Sequence, residues 1–120
     1  MRVLLVDDDD LIRAAVPSMI EALGHEVVTA EGGAEALALL HGGEQVDLII
    51  LDLNMPGMNG METHGHLRQG WPRLPILLAT GHLDAATSEL LQADPWAASI
   101  SKPYSLDELS QKLLALKGQV

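Results

Sequence analysis

The chain has 120 residues, 48% of them apolar, a formal net charge of −10 and no cysteine. That is the size of one ordinary domain with its own core, too apolar for disorder, and without a disulfide framework or thiol chemistry. The acidic balance excludes a nucleic-acid surface and disfavours an anionic membrane surface, since both need basic patches.

The apolar runs are too short to span a bilayer. Met1-Arg2-Val3 leads straight into a strand-like run and reads as a native N-terminus rather than a signal peptide. A soluble, cytoplasmic domain is the expectation. Val3 to Val6 is a short buried strand. Asp8 or Asp9 can cap the helix that follows, whose Leu11, Ile12, Ala15, Met19 and Leu23 recur at helical spacing until Gly24 ends it. Pro17, lacking an amide donor, should bend that helix. Glu26 to Ala30 reads as the second strand, and Ala34 to Leu40 as a short helix ended by Gly42-Gly43. Val46 to Leu51 is apolar on both faces, which suits the middle of a parallel sheet. Gly60 to Gln69 is a weaker helix, Leu74 to Ala79 a strand, Leu83 to Leu91 a helix and Ala97 to Ser101 the last strand. Ser105 with Glu108 three residues on forms a capping box for a closing helix. Leu106, Leu109, Leu113 and Leu116 make its apolar stripe.

Five strands alternating with five helices predict a (βα)5 fold, with a parallel sheet covered on both faces. Ligands in such sheets bind at the carboxyl ends of the strands. Asp7 and Asp8 follow the first strand, Asp52 the third, Thr80 the fourth and Lys102 the fifth. These groups converge if the first, third, fourth and fifth strands lie together. Three carboxylates at one spot repel one another unless a cation sits among them. Oxygen donors of this kind suit a hard ion, Mg²⁺ or else Mn²⁺. The five histidines are scattered and form no zinc pattern. Lys102 beside Asp52 would keep a carboxylate ionised and nucleophilic, and Thr80 can donate to an oxyanion. Together they make a phosphoryl-transfer site.

Each residue also has an ordinary explanation. Asp7 to Asp10 can be a solvated turn with a helix cap. Asp52 can cap the Pro56-Gly57 turn, Thr80 can cap the next helix, and Lys102 can be a loop lysine. The combination of Val-Asp-Asp, Leu-Asp-Leu-Asn-Met-Pro-Gly, Ala-Thr-Gly and Ser-Lys-Pro, each at a strand end, favours one shared site.

With these motifs, over essentially all 120 residues, the chain resembles a receiver domain of two-component response regulators. The resemblance implies one receiver domain over 1–120 with a flavodoxin-like three-layer sandwich and strand order 2-1-3-4-5. Asp52 matches the phospho-acceptor. Asp7 and Asp8 match the acidic pair that holds Mg²⁺, joined by Asp52 and the backbone carbonyl of Asn54. Thr80 matches the switch hydroxyl and Lys102 the lysine that binds a phosphoryl oxygen. Pro103 matches a proline that is typically cis and turns the lysine inward. Asn54 and His82 occupy positions that tune how water reaches the phosphoryl group. The implied partner is a histidine kinase or histidine phosphotransfer domain meeting the first helix, whose exposed face carries few charges apart from Arg13 and Glu21. The implied chemistry is self-phosphorylation from phosphohistidine and autodephosphorylation, without independent turnover.

Two departures stand out. Ser99, three residues before the lysine, occupies the place of the usual switch aromatic, and Asp94-Pro95-Trp96 replaces the common Gly-Ala lead-in. Trp96 is expected to cover the sheet end or pack under the fourth helix. The missing aromatic, with Ala79-Thr80-Gly81-His82, is similar to receivers attached to hybrid sensor kinases. A weak homodimer through the fourth helix, fifth strand and fifth helix is compatible with the family. The competing readings are an unphosphorylated docking module, a flavodoxin-like cofactor binder and a phosphatase with an aspartyl nucleophile. The second needs a phosphate-cradling loop where Asp7 to Asp10 stand, and the third a substrate-capping element for which 120 residues leave little room.

Overall fold

Ten elements alternate strand and helix in the computed structural model, which describes residues 1–54 and 59–117, the Lys117 side chain excepted. The expected Pro56-Gly57 turn lies outside the described residues. The elements are β1 (Arg2–Val6), α1 (Asp10–Ala22), β2 (Glu26–Ala30), α2 (Gly33–His41), β3 (Leu48–Asp52), α3 (Gly60–Gly70), β4 (Ile76–Thr80), α4 (Ala85–Ala93), β5 (Ala97–Ser101) and α5 (Leu106–Lys117). All strand pairs are parallel, in the order β2-β1-β3-β4-β5. No described helix is long and apolar enough to cross a membrane.

The pleat sorts the sheet's side chains into two cores. Val3, Leu5, Leu48, Ile50, Leu77 and Ala79 pack with Val16 and Ile20 of α1 and Leu109, Leu113 and Leu116 of α5. Leu4, Val6, Ile49, Leu51, Ile76 and Leu78 face the other way, onto Ala36 and Leu40 of α2 and Leu67 of α3. The result is the expected three-layer sandwich. All residues of β3 and β4 are buried, as central strands with helices on both faces require. Burying each large aliphatic side chain stabilises the fold by roughly 1.5–3 kcal/mol.

Several boundaries and faces differ from expectation. β3 starts at Leu48 rather than Val46, because the Asp47 carboxylate accepts the Arg2 N–H at 2.7 Å and turns the chain into the sheet. β4 runs two residues later than at the sequence level at its start and takes in Thr80. α4 starts at Ala85, since the Asp84 side chain accepts the Thr87 N–H at 2.8 Å and fixes the first turn there. Asp9, not Asp8, caps α1, its Oδ1 accepting the Leu11 N–H at 2.8 Å. Leu11 is 78% exposed and Ala15 is exposed, so the buried stripe of α1 is carried by Val16 and Ile20 with Ile12, Met19 and Leu23 beside them. Pro17 lies inside α1, between the buried Val16 and Ile20. Leu106 likewise stands outside the α5 stripe, 41% exposed, in the first turn. The Ser105–Glu108 box forms in both directions: the Glu108 N–H donates to Ser105 Oγ (3.1 Å) and the Ser105 N–H to Glu108 Oε1 (3.3 Å).

A charge cluster closes the corner at the C-terminal ends of α3 and α4. Arg68 Nε donates to Asp94 Oδ2 (2.7 Å), and the same guanidinium donates to the carbonyls of Trp71, Leu74 and Trp96. His64 Nε2 lies 2.7 Å from the same Asp94 oxygen, and the Trp96 N–H donates to Asp94 Oδ1 at 2.9 Å. Burial works against the Asp94 carboxylate, but Arg68, His64 and the Trp96 amide outweigh it and hold its pKa below the ordinary value. Trp96 lines a groove here with His64, Arg68 and Leu90, between α3 and α4.

Gly60 opens α3 where no side chain fits. A Cβ there would lie 2.5 Å from Leu53 Cα and 2.6 Å from the carbonyl oxygen of Asp52. Both are backbone atoms, so relief requires moving the end of β3. Gly60→Ala is expected to cost about 1–3 kcal/mol in denaturant unfolding; unchanged stability would show that the β3–α3 junction yields freely.

Candidate functional site

The register brings the acidic residues together. Val6 pairs with Leu51, so Asp7 and Asp52 leave neighbouring strands at the same level. Thr80 pairs with Ser101, which sets Lys102 one residue beyond the end of β4. Asp7 and Asp52 are 1% and 2% exposed, whereas Asp8 faces solvent. One carboxylate oxygen from each of the three lies within 4.8 Å of the others.

Lys102 Nζ bridges two of them, 2.9 Å from Asp52 Oδ1 and 3.1 Å from Asp7 Oδ2. Backbone amides complete their fixation: Asn54 N–H donates to Asp52 Oδ1 (3.0 Å) and Asp9 N–H to Asp7 Oδ1 (2.9 Å). Burial raises the Asp7 pKa, and the neighbouring Asp52 charge adds to this against the pull of the Asp9 amide and Lys102. Burial works against the Lys102 ammonium, but Asp52 and then Asp7 outweigh it and raise its pKa above the usual lysine value. The Lys102 N–H donates to the Thr80 carbonyl at 2.9 Å, and the Lys102–Pro103 peptide is cis.

The remaining residues singled out by sequence stand around this core. Thr80 Oγ1 donates to the His82 carbonyl (2.8 Å) and accepts the His82 N–H (3.2 Å), so its hydroxyl is engaged by its own loop rather than by Asp52. His82 and Asn54 are exposed beside the cluster. Ser99 pairs with Leu78 in the edge strand β5 and is partly buried.

The donor set fits a hard divalent cation. Its donors are oxygens, three carboxylates against one ammonium leave two negative charges, and Asp8 makes no hydrogen bond or ion pair among the described residues. This is the one group of three such ligands among the described residues.

Two neighbours of the site carried no sequence signal of a role. Arg13, expected on the exposed face of α1, is only 16% exposed at its side chain and turns into the β1–α1 loop. Tyr104, the chain's single tyrosine, packs between α1 and the loop after β5, against the core. Its hydroxyl is buried with no hydrogen-bond partner among the described residues. Burial, then the Asp7 and Asp52 charges, push its pKa up to about 12.

A family model described as "Response regulator receiver domain" matches residues 3–114. The uncharacterized transcriptional regulatory protein YrkP of Bacillus subtilis is 35% identical over 117 residues, covering 95% of this chain and 48% of the relative. Chemotaxis protein CheY4 of Vibrio cholerae, crystallised at low pH, is similar in structure with a TM-score of 0.87, 32% identity and coverage of 96% of this chain and 97% of that one. Response regulator TrrA of Thermotoga maritima, solved in complex with Mg²⁺–BeF, gives a TM-score of 0.81 at 34% identity, again covering 96% and 97%. The chain spans about half the length of the curated relatives it matches.

The Tyr104 phenol provides a direct check on the site's burial. An ordinary tyrosine titrates near pH 10. A folded-state value raised to about 12 means that the group's contribution to stability is complete below 10 and is lost as pH rises through 12. Tyrosinate absorbance of the folded domain should therefore stay flat through pH 10 and rise only near 12 or with alkaline unfolding. A midpoint near 10 in the folded domain would show that the ring is solvated.

Proposed function

The chain belongs to the response regulator receiver family, and on that footing we propose that Asp52 accepts a phosphoryl group from a phosphohistidine on a histidine kinase or histidine phosphotransfer domain. The observation that carries this reading is the Lys102 ammonium held between the Asp52 and Asp7 carboxylates, with Asp8 alongside. Lys102 pairs with the Asp52 carboxylate, the nucleophile in this reading. A bond forms between an Asp52 oxygen and phosphorus as the phosphorus–nitrogen bond to the partner's imidazole breaks, and the imidazole leaves with the electron pair. The carboxylates of Asp7, Asp8 and Asp52, with the Asn54 carbonyl, would hold Mg²⁺, which would supply stabilisation of the charge on the transferred oxygens. Lys102 is placed to pair with one of those oxygens once Asp52 carries the acyl phosphate.

Thr80 acts as the switch. An acyl phosphate on Asp52 offers its hydroxyl a stronger, charged acceptor than the His82 carbonyl it now engages. Releasing those two local bonds frees the loop between β4 and α4, a population shift driven by a local charge event. With Ser99 in place of an aromatic ring, nothing large rotates at β5, so the change passes through the loop and α4. The reading extends to one receiver unit over 1–120, acting in the cytoplasm.

Incubating the domain with Mg²⁺ and acetyl phosphate should add one phosphate by intact mass. Asp52→Asn and a metal-free sample should add none. Phosphate on Asp52→Asn moves the acceptor elsewhere, and no phosphate on the wild type, even from a phosphohistidine protein, leaves a docking module. Substituting Asn54 or His82 is expected to alter the phosphoryl lifetime while leaving denaturant stability within about 0.5 kcal/mol, as for exposed sites; unchanged decay in both would remove them from the hydrolytic step.

A further inference from the structure

Asp8 must point into the cluster, yet no side-chain hydrogen bond or ion pair holds it among the described residues. Its orientation therefore rests on its two flanking peptides. The peptide between Asp8 and Asp9 is fixed by its N–H, which donates to Asp7 Oδ1 at 2.9 Å. The peptide between Asp7 and Asp8 is fixed by its carbonyl, which accepts from Arg13 Nη1 at 2.9 Å. The other nitrogen of the same guanidinium pairs with Asp10 and lies 3.7 Å from Glu31 Oε1 on the loop after β2. The Asp7 N–H in turn donates to the Ala30 carbonyl at 3.1 Å, next to Glu31. One planar fork thus ties the β1–α1 loop to the first turn of α1 and to the β2–α2 loop.

We infer that Arg13 is a positioning residue for the divalent cation: it acts through the Asp7 carbonyl to hold Asp8 in ligating geometry, and so sets the site's preference for Mg²⁺. The inference rests on the metal reading of the cluster given above.

Two effects of removing Arg13 oppose each other. Losing a cation makes the loops more negative, which draws any dication more strongly. Asp10 and Glu31 are mostly exposed, so this term is screened and small. Losing the clamp lets the Asp7–Asp8 peptide rotate. Mg²⁺ demands near-ideal octahedral geometry, whereas Ca²⁺ tolerates irregular ligands. Geometry and charge therefore leave different signatures: a change of charge alone affects both dications alike, and a loss of geometry falls mainly on Mg²⁺. Lysine cannot replace the fork, because one ammonium does not reproduce a planar pair of donors.

The test is calorimetric titration of the wild type, Arg13→Met and Arg13→Lys with Mg²⁺ and with Ca²⁺, with amide NMR shifts of Asp8 and Asp9 recorded beside it. The expected result is Mg²⁺ affinity about 10-fold weaker in both variants, the scale of losing an outer support of a metal ligand. Ca²⁺ affinity should fall less, so that the Mg²⁺-to-Ca²⁺ ratio drops. Equal changes for the two ions, or none, overturn the positioning role while leaving the metal site intact. A wild type that binds neither ion overturns the metal reading itself and this inference with it. Should Arg13→Met fail to fold, Arg13→Lys keeps the charge and decides the question alone.

Discussion

The ammonium of Lys102 between the carboxylates of Asp52 and Asp7 is the interaction on which the upper edge of the sheet depends. Both carboxylates are almost fully buried. An ion taken out of water costs several kcal/mol unless it is well paired and its remaining lone pairs are satisfied. Here each carboxylate has the same cation and one backbone amide. The pairing also joins the ends of β1 and β3 to the end of β5, across the intervening β4. The compensation is incomplete, because one ammonium faces three carboxylates. Burial first, and then the neighbouring Asp52 charge, raise the pKa of Asp7 against the pull of the Asp9 amide and Lys102. A site of this kind is held ready by its surroundings rather than by its own stability, which is the usual condition of a reactive centre.

That condition explains why the loops around the cluster are so heavily braced. Asp9 both caps α1 and fixes Asp7 through its amide. Arg13 reaches back to the Asp7 carbonyl. Gly60 lets α3 begin against the backbone of Asp52 and Leu53, where any side chain would push on the end of β3. Each is a packing or hydrogen-bonding device one step removed from the carboxylates. Together they hold three like charges in one place at a cost that the buried apolar sheet beneath offsets.

The alternation of strands and helices was legible in the sequence because it rests on local patterns: short β-branched runs, glycine stops and the Ser105–Glu108 box. The convergence of Asp7, Asp8, Asp52 and Lys102 was legible because a parallel sheet puts its chemistry at strand ends. What escaped was decided by tertiary contact. Leu11 and Ala15 fit the helical period of α1, yet the period alone does not say which side the sheet takes, and Val16 and Ile20 took it. Arg13 looked like an exposed helix charge because, besides the local Asp10, its partners are a backbone carbonyl and an acid from another loop. His64 and Arg68 are a turn apart on α3, but Asp94 is 26 residues beyond Arg68, so no local spacing announced the cluster. The β3 start moved for the same reason: Asp47 is recruited by Arg2, far away in the chain.

The Asp94 cluster also bears on how a change at Thr80 can spread, because it makes the two ends of α4 unequal. At the C-terminal end, Asp94 accepts from Arg68, His64 and the Trp96 amide, and Arg68 in turn holds three carbonyls. These are charge-assisted bonds, the strong class, sheltered from solvent. At the N-terminal end, residues 81–86 are exposed, and the bonds there include the Asp84 cap, the Ser88 N–H to the Asp84 carbonyl and the Thr80–His82 turn. Segments with few buried contacts and solvent-exposed bonds open at the lowest free energy. Thr80 adjoins that weak end. A rearrangement that begins by breaking its bonds to His82 meets little resistance through residues 81–86, whereas the far end of α4 moves only if a buried ion network breaks. The two ends of α4 thus differ in how they are held, the C-terminal end by buried ionic bonds and the N-terminal end by exposed caps.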